Sequence, residues 1–173
     1  KDAVDVWVLE LSSFQLETTH SLRAQVASIL NVTEDHMDRY DSLNDYASAK
    51  HRIFDQCEKA VFWMDDPRTS PVGQSCKMMA FGGGNDRHGR FYVRTDADDS
   101  WVMDGDKPVV SGSELLIKGA HNLLNVAAVF SILSAFDVDY RTVLDALRVF
   151  PGLTHRCQWV ASTNNIAWYN DSK

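Results

Sequence analysis

Two short apolar runs separated by one amphipathic helix constrain this chain most. Gln25-Val-Ala-Ser-Ile-Leu30 and Ala60-Val-Phe-Trp-Met64 have the composition of buried strands. Between them Leu43, Tyr46, Ile53, Phe54 and Cys57 fall on one face of a 3.6-residue period. The spacing predicts a helix from Ser42 to about Glu58, opened by Ser42 with Asp45 as the partner of a capping box. A strand–helix–strand unit of this kind joins parallel neighbours. Further strands are predicted at Ala3–Leu9 and Lys77–Phe81. The expected fold class is therefore α/β, a mostly parallel sheet flanked by helices.

Later stretches change in texture. Phe91-Tyr-Val, Trp101-Val-Met and Pro108-Val-Val are short apolar pieces, and Asp104-Gly105 is a hairpin signal. They predict a small antiparallel β satellite. Leu123 to Phe136 reads as an apolar core helix, and Tyr140 to Phe150 as a second helix with Asp139 at its N-cap. Strands at Gln158–Ala161 and Ile166–Tyr169 flank an Asn164-Asn165 turn. Gly82-Gly-Gly-Asn-Asp86 lacks the Lys-Ser/Thr of a phosphate loop and is expected to be a flexible turn.

With 45% hydrophobic and 24% charged residues in 173, the chain can build one soluble domain with a sizeable core. A net charge of -7 argues against a general nucleic-acid grip but not against a nucleotide whose phosphates Mg²⁺ neutralises. Three cysteines without a CxxC favour reduced thiols and a cytoplasmic setting. No apolar run approaches membrane-spanning length, so no membrane association is expected, and the chain is read as a monomer. It opens on a strand and closes on one, which suggests a piece of a longer protein.

The chemistry concentrates where such sheets bind ligands, beyond the carboxyl ends of strands. The loop Asn31-Val-Thr-Glu-Asp-His-Met-Asp-Arg-Tyr40 carries three carboxylates and a histidine. Glu10 follows the first predicted strand, where it is either a surface carboxylate or a ligand group; Ser12 and Ser13 suit a turn cap. Lys50 lies on the apolar stripe, between Tyr46 and Ile53. A buried unpaired ammonium is costly, so it either snorkels outward or has chemistry that requires burial. Asn122 and Asn125 share a face near the start of the apolar helix, where an amide can cap the helix or read an adenine edge.

Taken in order, Glu10-Leu-Ser-Ser-Phe-Gln-Leu-Glu17, the Asn31–Tyr40 loop, Gly119-Ala-His-Asn-Leu-Leu-Asn125, Leu153-Thr-His-Arg156 and Asn170-Asp-Ser-Lys173 resemble the central ATPase domain of the Mur ligases. The first two stretches resemble the D-glutamate-adding branch in particular. The resemblance implies ATP and two Mg²⁺ ions as cofactors. It implies UDP-N-acetylmuramoyl-L-alanine and D-glutamate as substrates of the parent enzyme. It assigns Glu10 to one metal, and His36 and a carbamate on Lys50 to the second. Asn122 and Asn125 would face adenine, Arg156 the phosphates or ribose, Asp171 the ribose, and Lys173 the phosphates. Ser12 would lie near the muramoyl substrate. Residues 1–173 would form part of the central domain. The family's P-loop, its UDP-binding domain and its amino-acid-binding domain would lie outside this stretch, and Thr154 departs from the proline often found before His-Arg.

Two other readings remain open on the residues. A sister ligase such as folylpolyglutamate synthetase would share the mechanism and differ in substrate. A metal-dependent hydrolase would use Glu10, Asp35, His36 and Asp38, although these lack close zinc-type spacing. A non-catalytic nucleotide-binding module is disfavoured by the joint presence of Lys50, His36 and Arg156.

Overall fold

The computed structural model describes residues 4–83 and 89–172. Six strands form one sheet in chain order: β1 (Val26–Ile29), β2 (Lys59–Trp63), β3 (Lys77–Phe81), β4 (Phe91–Thr95), β5 (Ser100–Asp104) and β6 (Lys107–Ser111). Pairing is parallel from β1 to β4 and antiparallel from β4 to β6. A separate two-stranded antiparallel sheet, β7 (Gln158–Thr163) and β8 (Ile166–Asn170), follows. Its turn residues Asn164 and Asn165 both have positive φ, as a tight right-twisting hairpin requires.

Helices cover both faces. On one side α2 (Leu43–His51) runs into a 3₁₀ turn at Arg52–Phe54, with α1 (Ser13–Thr18) beside it. On the other lie α3 (Ala120–Ala135) and α4 (Leu144–Val149). The strand alternation assigns the faces. Ala60 of β2 points into a cluster with Ile29, Tyr46, Phe54 and Cys57, whereas its neighbour Val61 joins Phe81, Phe91, Val102 and Phe130 under α3. The predicted stripe on α2 is thus a real packing face, although regular helix ends before Glu58. Ser42 caps α2 by accepting from the Asp45 backbone N–H, while its own hydroxyl donates to the Asp45 carboxylate at 2.6 Å. Asp139 caps the 3₁₀ turn Tyr140–Val143 that leads into α4. Gly119, immediately before α3, has φ +99 and a backbone against the His121 ring, a conformation that would be strained for a residue with a β-carbon.

Two expectations are corrected. Residues 91–111 do not form a satellite; they extend the main sheet through the Phe81–Phe91 pairing, because β4 and β5 bury Phe91 and Val102 under α3. The small antiparallel sheet is instead the β7–β8 hairpin. The predicted strand at Ala3–Leu9 does not form in residues 4–9. This segment lies near β1 but enters no ladder, and Trp7 and Val8 are 75% and 93% exposed. Its β-branched composition supplies propensity, but a strand exists only where a neighbour completes its hydrogen bonds. The expected turn at Gly82–Asp86 lies partly outside the described residues; within them, Gly82 and Gly83 have positive φ and the Gly83 N–H donates to Asp65. No helix among the described residues is long and apolar enough to cross a membrane.

One polar network ties the antiparallel half of the sheet to the C-terminal end of α3. Arg90 makes a bidentate pair with Asp104, at 2.6 and 3.1 Å, and also donates to Ser134. The Tyr140 hydroxyl donates to the same carboxylate at 3.1 Å. The Arg90 hydrogen bonds, opposed by partial desolvation and helped by Tyr140, hold the Asp104 carboxyl below the ordinary carboxylate range. A lowered folded-state value means stability that is present above the unfolded carboxylate pKa of about 4 and lost as pH falls through the folded value. Asp104→Asn is expected to cost about 1–3 kcal/mol at neutral pH, with a smaller cost in acid. Urea denaturation of both proteins across the acid range measures it; an equal cost at every pH would remove the carboxylate's role.

Candidate functional site

The loop expected to carry chemistry leaves the carboxyl end of β1 and is held by an aromatic belt. The His36 ring lies 4.8 Å from Phe14 of α1 and 6.4 Å, edge-on, from Tyr46 of α2. Tyr40 packs between the same two residues, 6.2 Å from Phe14 and 5.2 Å from Tyr46. Glu17 closes the belt from α1, accepting from Arg39 at 2.5 Å and from the Tyr40 hydroxyl at 2.6 Å. The Tyr40 hydrogen bond, followed by that of Arg39, holds the Glu17 carboxyl below its usual range. Burial pushes the Tyr40 phenol up, and its bond to Glu17 adds to this. His36 itself sits at φ 54, a left-handed conformation uncommon for a residue with a β-carbon. Asp35 assists by accepting from the His36 backbone N–H at 2.9 Å and facing its ring nitrogen at 3.5 Å.

Lys50 belongs to this group. Its ammonium lies 4.9 Å from the centroid of Tyr46, on the ring that His36 also meets edge-on. It is half-buried and makes no ion pair with any described residue. The apolar stripe therefore places Lys50 at its margin, and the Tyr46 face offsets part of the lost hydration. His36 and Lys50, fourteen positions apart in sequence, border the same tyrosine ring, which loop and helix share.

A second group forms around the start of α3 and the β7–β8 hairpin. A cleft of about 280 Å³ is lined by Leu116, Asn122, Pro151, Arg156, Trp159 and Tyr169 among others. Arg156 is exposed and its guanidinium has no partner among the described residues. The Asn122 amide donates to the Lys118 carbonyl at 2.8 Å, which fastens the first turn of α3 to the chain before it without capping the helix, whose N-cap Gly119 has no side chain to do so; the Asn122 side-chain oxygen stays available. Asn125, one turn on, is exposed and does not line the cleft. Asp171 accepts from the Cys157 backbone N–H at 3.0 Å, and Asn170 bonds the His155 ring at 2.8 Å. Two stretches separate in sequence, Leu153–Arg156 and Asn170–Ser172, thus meet at the base of the hairpin.

Three assignments fare differently. Ser12 is occupied as the N-cap of α1: its hydroxyl accepts from the Gln15 backbone while the Gln15 side chain accepts from the Ser12 backbone N–H. Glu10 is exposed on the unpaired segment before α1 and contacts no other candidate. Lys173 lies outside the described residues. No hydrogen bond, ion pair or ring contact among the described residues joins the His36–Lys50 group to the Asn122–Arg156 group. Nor does any cluster of three or more His, Cys, Asp or Glu side chains there stand ready for a metal ion, so the quartet Glu10, Asp35, His36 and Asp38 is not assembled. Sequence reasoning missed Phe14, Glu17 and Tyr46 as supports. The spacing of Phe14 and Glu17, three apart on one short helix, was the signal available.

Comparison with known proteins adds what geometry leaves open. A family model described as the Mur ligase middle domain matches residues 1–133. UDP-N-acetylmuramoylalanine--D-glutamate ligase of Vibrio campbellii is 46% identical over 169 residues, covering 98% of this chain and 38% of its own length. The enzyme of the same name from Alcanivorax borkumensis is 42% identical over 172 residues, covering 99% of this chain and 38% of its own. The chain therefore spans well under half the length of these relatives. Among solved structures, UDP-N-acetylmuramate-alanine ligase MurC of Thermotoga maritima superposes with a TM-score of 0.65 at 25% identity, over 92% of this chain and 36% of that one. MurF of Acinetobacter baumannii shares the fold, with a TM-score of 0.68 at 19% identity over 85% of this chain and 33% of its own. The strand–loop–helix unit that joins His36 to Lys50 lies within residues 1–133, which match the family's middle domain: the chain belongs to the Mur ligase family.

Proposed function

We propose that this chain is part of the ATP-binding domain of an enzyme that joins D-glutamate to UDP-N-acetylmuramoyl-L-alanine, a step in building the peptidoglycan precursor. The observation that carries the reading is the convergence of His36 and Lys50 on Tyr46 at the carboxyl end of β1, within a sequence 46% identical to a D-glutamate ligase. Forming an amide from a carboxylate needs an activated acyl group. ATP supplies it by phosphorylating the carboxylate, and the amine of D-glutamate displaces the phosphate from the acyl phosphate. Both transfers gather negative charge, so the residues most needed are those that hold phosphates and orient the reactants.

The cleft beside α3 suits the nucleotide. Its Leu116, Trp159 and Tyr169 walls accept a planar base, and the free oxygen of Asn122 accepts from an exocyclic amine. Arg156 carries an unpaired guanidinium in the same cleft for a phosphate, and the second oxygen of Asp171 is available to a ribose hydroxyl. Asn125 and Lys173 are kept as expected nucleotide contacts on the strength of the sequence motif alone. The Ser12 hydroxyl reaches substrate only by giving up its capping bond.

Two Mg²⁺ ions, which would neutralise phosphate charge, are expected from the sequence motifs alone. The described residues do not fit them unaided: Glu10 stands apart, and His36 and Lys50 bring no carboxylate cluster with them. A carbamate on Lys50, formed by attack of the neutral amine on CO₂ with loss of a proton, would turn its ammonium into an anionic oxygen pair beside His36. A metal-dependent hydrolase has no assembled ligand set to support it.

Lys50→Arg and Lys50→Ala in the full-length ligase are both expected to lower kcat at least about 100-fold, with acetate partly rescuing only the alanine variant. Near-normal activity of Lys50→Arg would leave Lys50 as a simple tyrosine-packed cation. Arg156→Gln is expected to raise the KM for ATP about tenfold or more while sparing the KM for D-glutamate, since a charge-assisted contact is worth about 1.5–3 kcal/mol. Steady-state kinetics with each substrate varied in turn decides this; an unchanged KM for ATP would move the nucleotide out of the cleft.

A further inference from the structure

Two of the three cysteines lie side by side at the end of the sheet opposite the candidate loop. Cys57 ends the segment that leads from α2 into β2, and Cys76 immediately precedes β3. β2 and β3 are parallel and in register from Lys59 opposite Lys77, so the two cysteines enter neighbouring strands. The Lys77 N–H donates to the Glu58 carbonyl at 3.0 Å, between the two positions. Gln74 donates to Asp55 at 3.2 Å and joins the same two segments. Both cysteines belong to one apolar cluster with Phe54 and Ala60, and the Cys76 thiol is close enough to act on the titration of Cys57. Cys57 is buried and Cys76 partly open to solvent. Cys157 lines the cleft near Arg156, away from the pair.

We propose that Cys57 and Cys76 are a redox-active dithiol that a low-molecular-weight disulfide such as oxidised glutathione converts to an intramolecular disulfide. The order of attack follows from exposure. The Cys76 thiolate attacks one sulfur of the small disulfide, whose S–S bond breaks; one small thiol leaves and Cys76 carries a mixed disulfide. Cys57 then loses its proton to solvent and attacks the Cys76 sulfur, expelling the second small thiol. Two protein thiols are oxidised by two electrons, and the small disulfide is reduced to two thiols. Burial, and next the neighbouring Cys76, push the Cys57 thiol up to about 12, so Cys57 stays protonated and Cys76 is the thiol that reacts first. In a reducing cytoplasm such a bridge is transient. It would tie β2 to β3 at their amino ends while leaving the loop at the carboxyl end of β1 untouched.

Full-length protein, folded and free of reductant, is incubated with oxidised glutathione, quenched by alkylation and mapped by mass spectrometry without reduction. The expected product is a peptide pair crosslinked through Cys57 and Cys76, with Cys157 alkylated. Cys57→Ser should instead accumulate glutathione stably on Cys76, and Cys76→Ser should leave Cys57 unmodified. The oxidised wild type should keep its ligase activity and melt about 5 °C or more higher than the reduced form. Glutathione retained on wild-type Cys76, a crosslink to Cys157, or no modification of Cys76 would each overturn the proposal.

Discussion

Burial of α3 against the sheet is the constraint on which the rest depends. The helix lays Leu123, Val126, Ala127 and Phe130 across β2 to β5, over Val61, Phe81, Phe91 and Val102. Small residues at Ala127 and Ala128 let the backbone approach closely, and Phe130 fills the space between Phe91 and Tyr140 at 5.7 and 4.9 Å. This contact recruits β4 to β6 into the main sheet, although the β3–β4 ladder is a single residue pair. It also sets the start of α3, and hence Asn122, beside the segment at the base of the hairpin that carries Arg156.

The opposite face works differently. There the cluster of Ile29, Tyr46, Phe54 and Cys57 anchors a short helix, and the polar loop above it is ordered by rings and one carboxylate instead of by a ladder. Tyr46 serves both purposes. It is buried in the apolar cluster, yet its ring borders His36 and Lys50. A change there would disturb packing and the candidate site together. The two candidate groups therefore lean on different cores, and a ligand long enough to touch both would report on how those cores sit together.

The amino-acid sequence by itself determined the elements that depend on local chemistry. Alternation and apolar periodicity placed β1, β2, β3, α2 and α3, Ser42 and Asp139 marked two caps, and Asn164-Asn165 marked the hairpin. Each rests on contacts within a few residues, so each is readable from spacing. The motif residues also belonged together in kind: histidine and lysine near one strand end, asparagine and arginine near one helix start. What only the tertiary structure decided is partnership. Residues 4–9 have strand composition and no ladder, Ser12 has a helix to cap, and residues 91–111 found a helix to lie under. Lys50 found an aromatic face at the margin of its stripe, and Cys57 found Cys76 across two strands. Such pairings follow from which surfaces meet, and the free energy of a contact between distant residues leaves no trace in the spacing of either one.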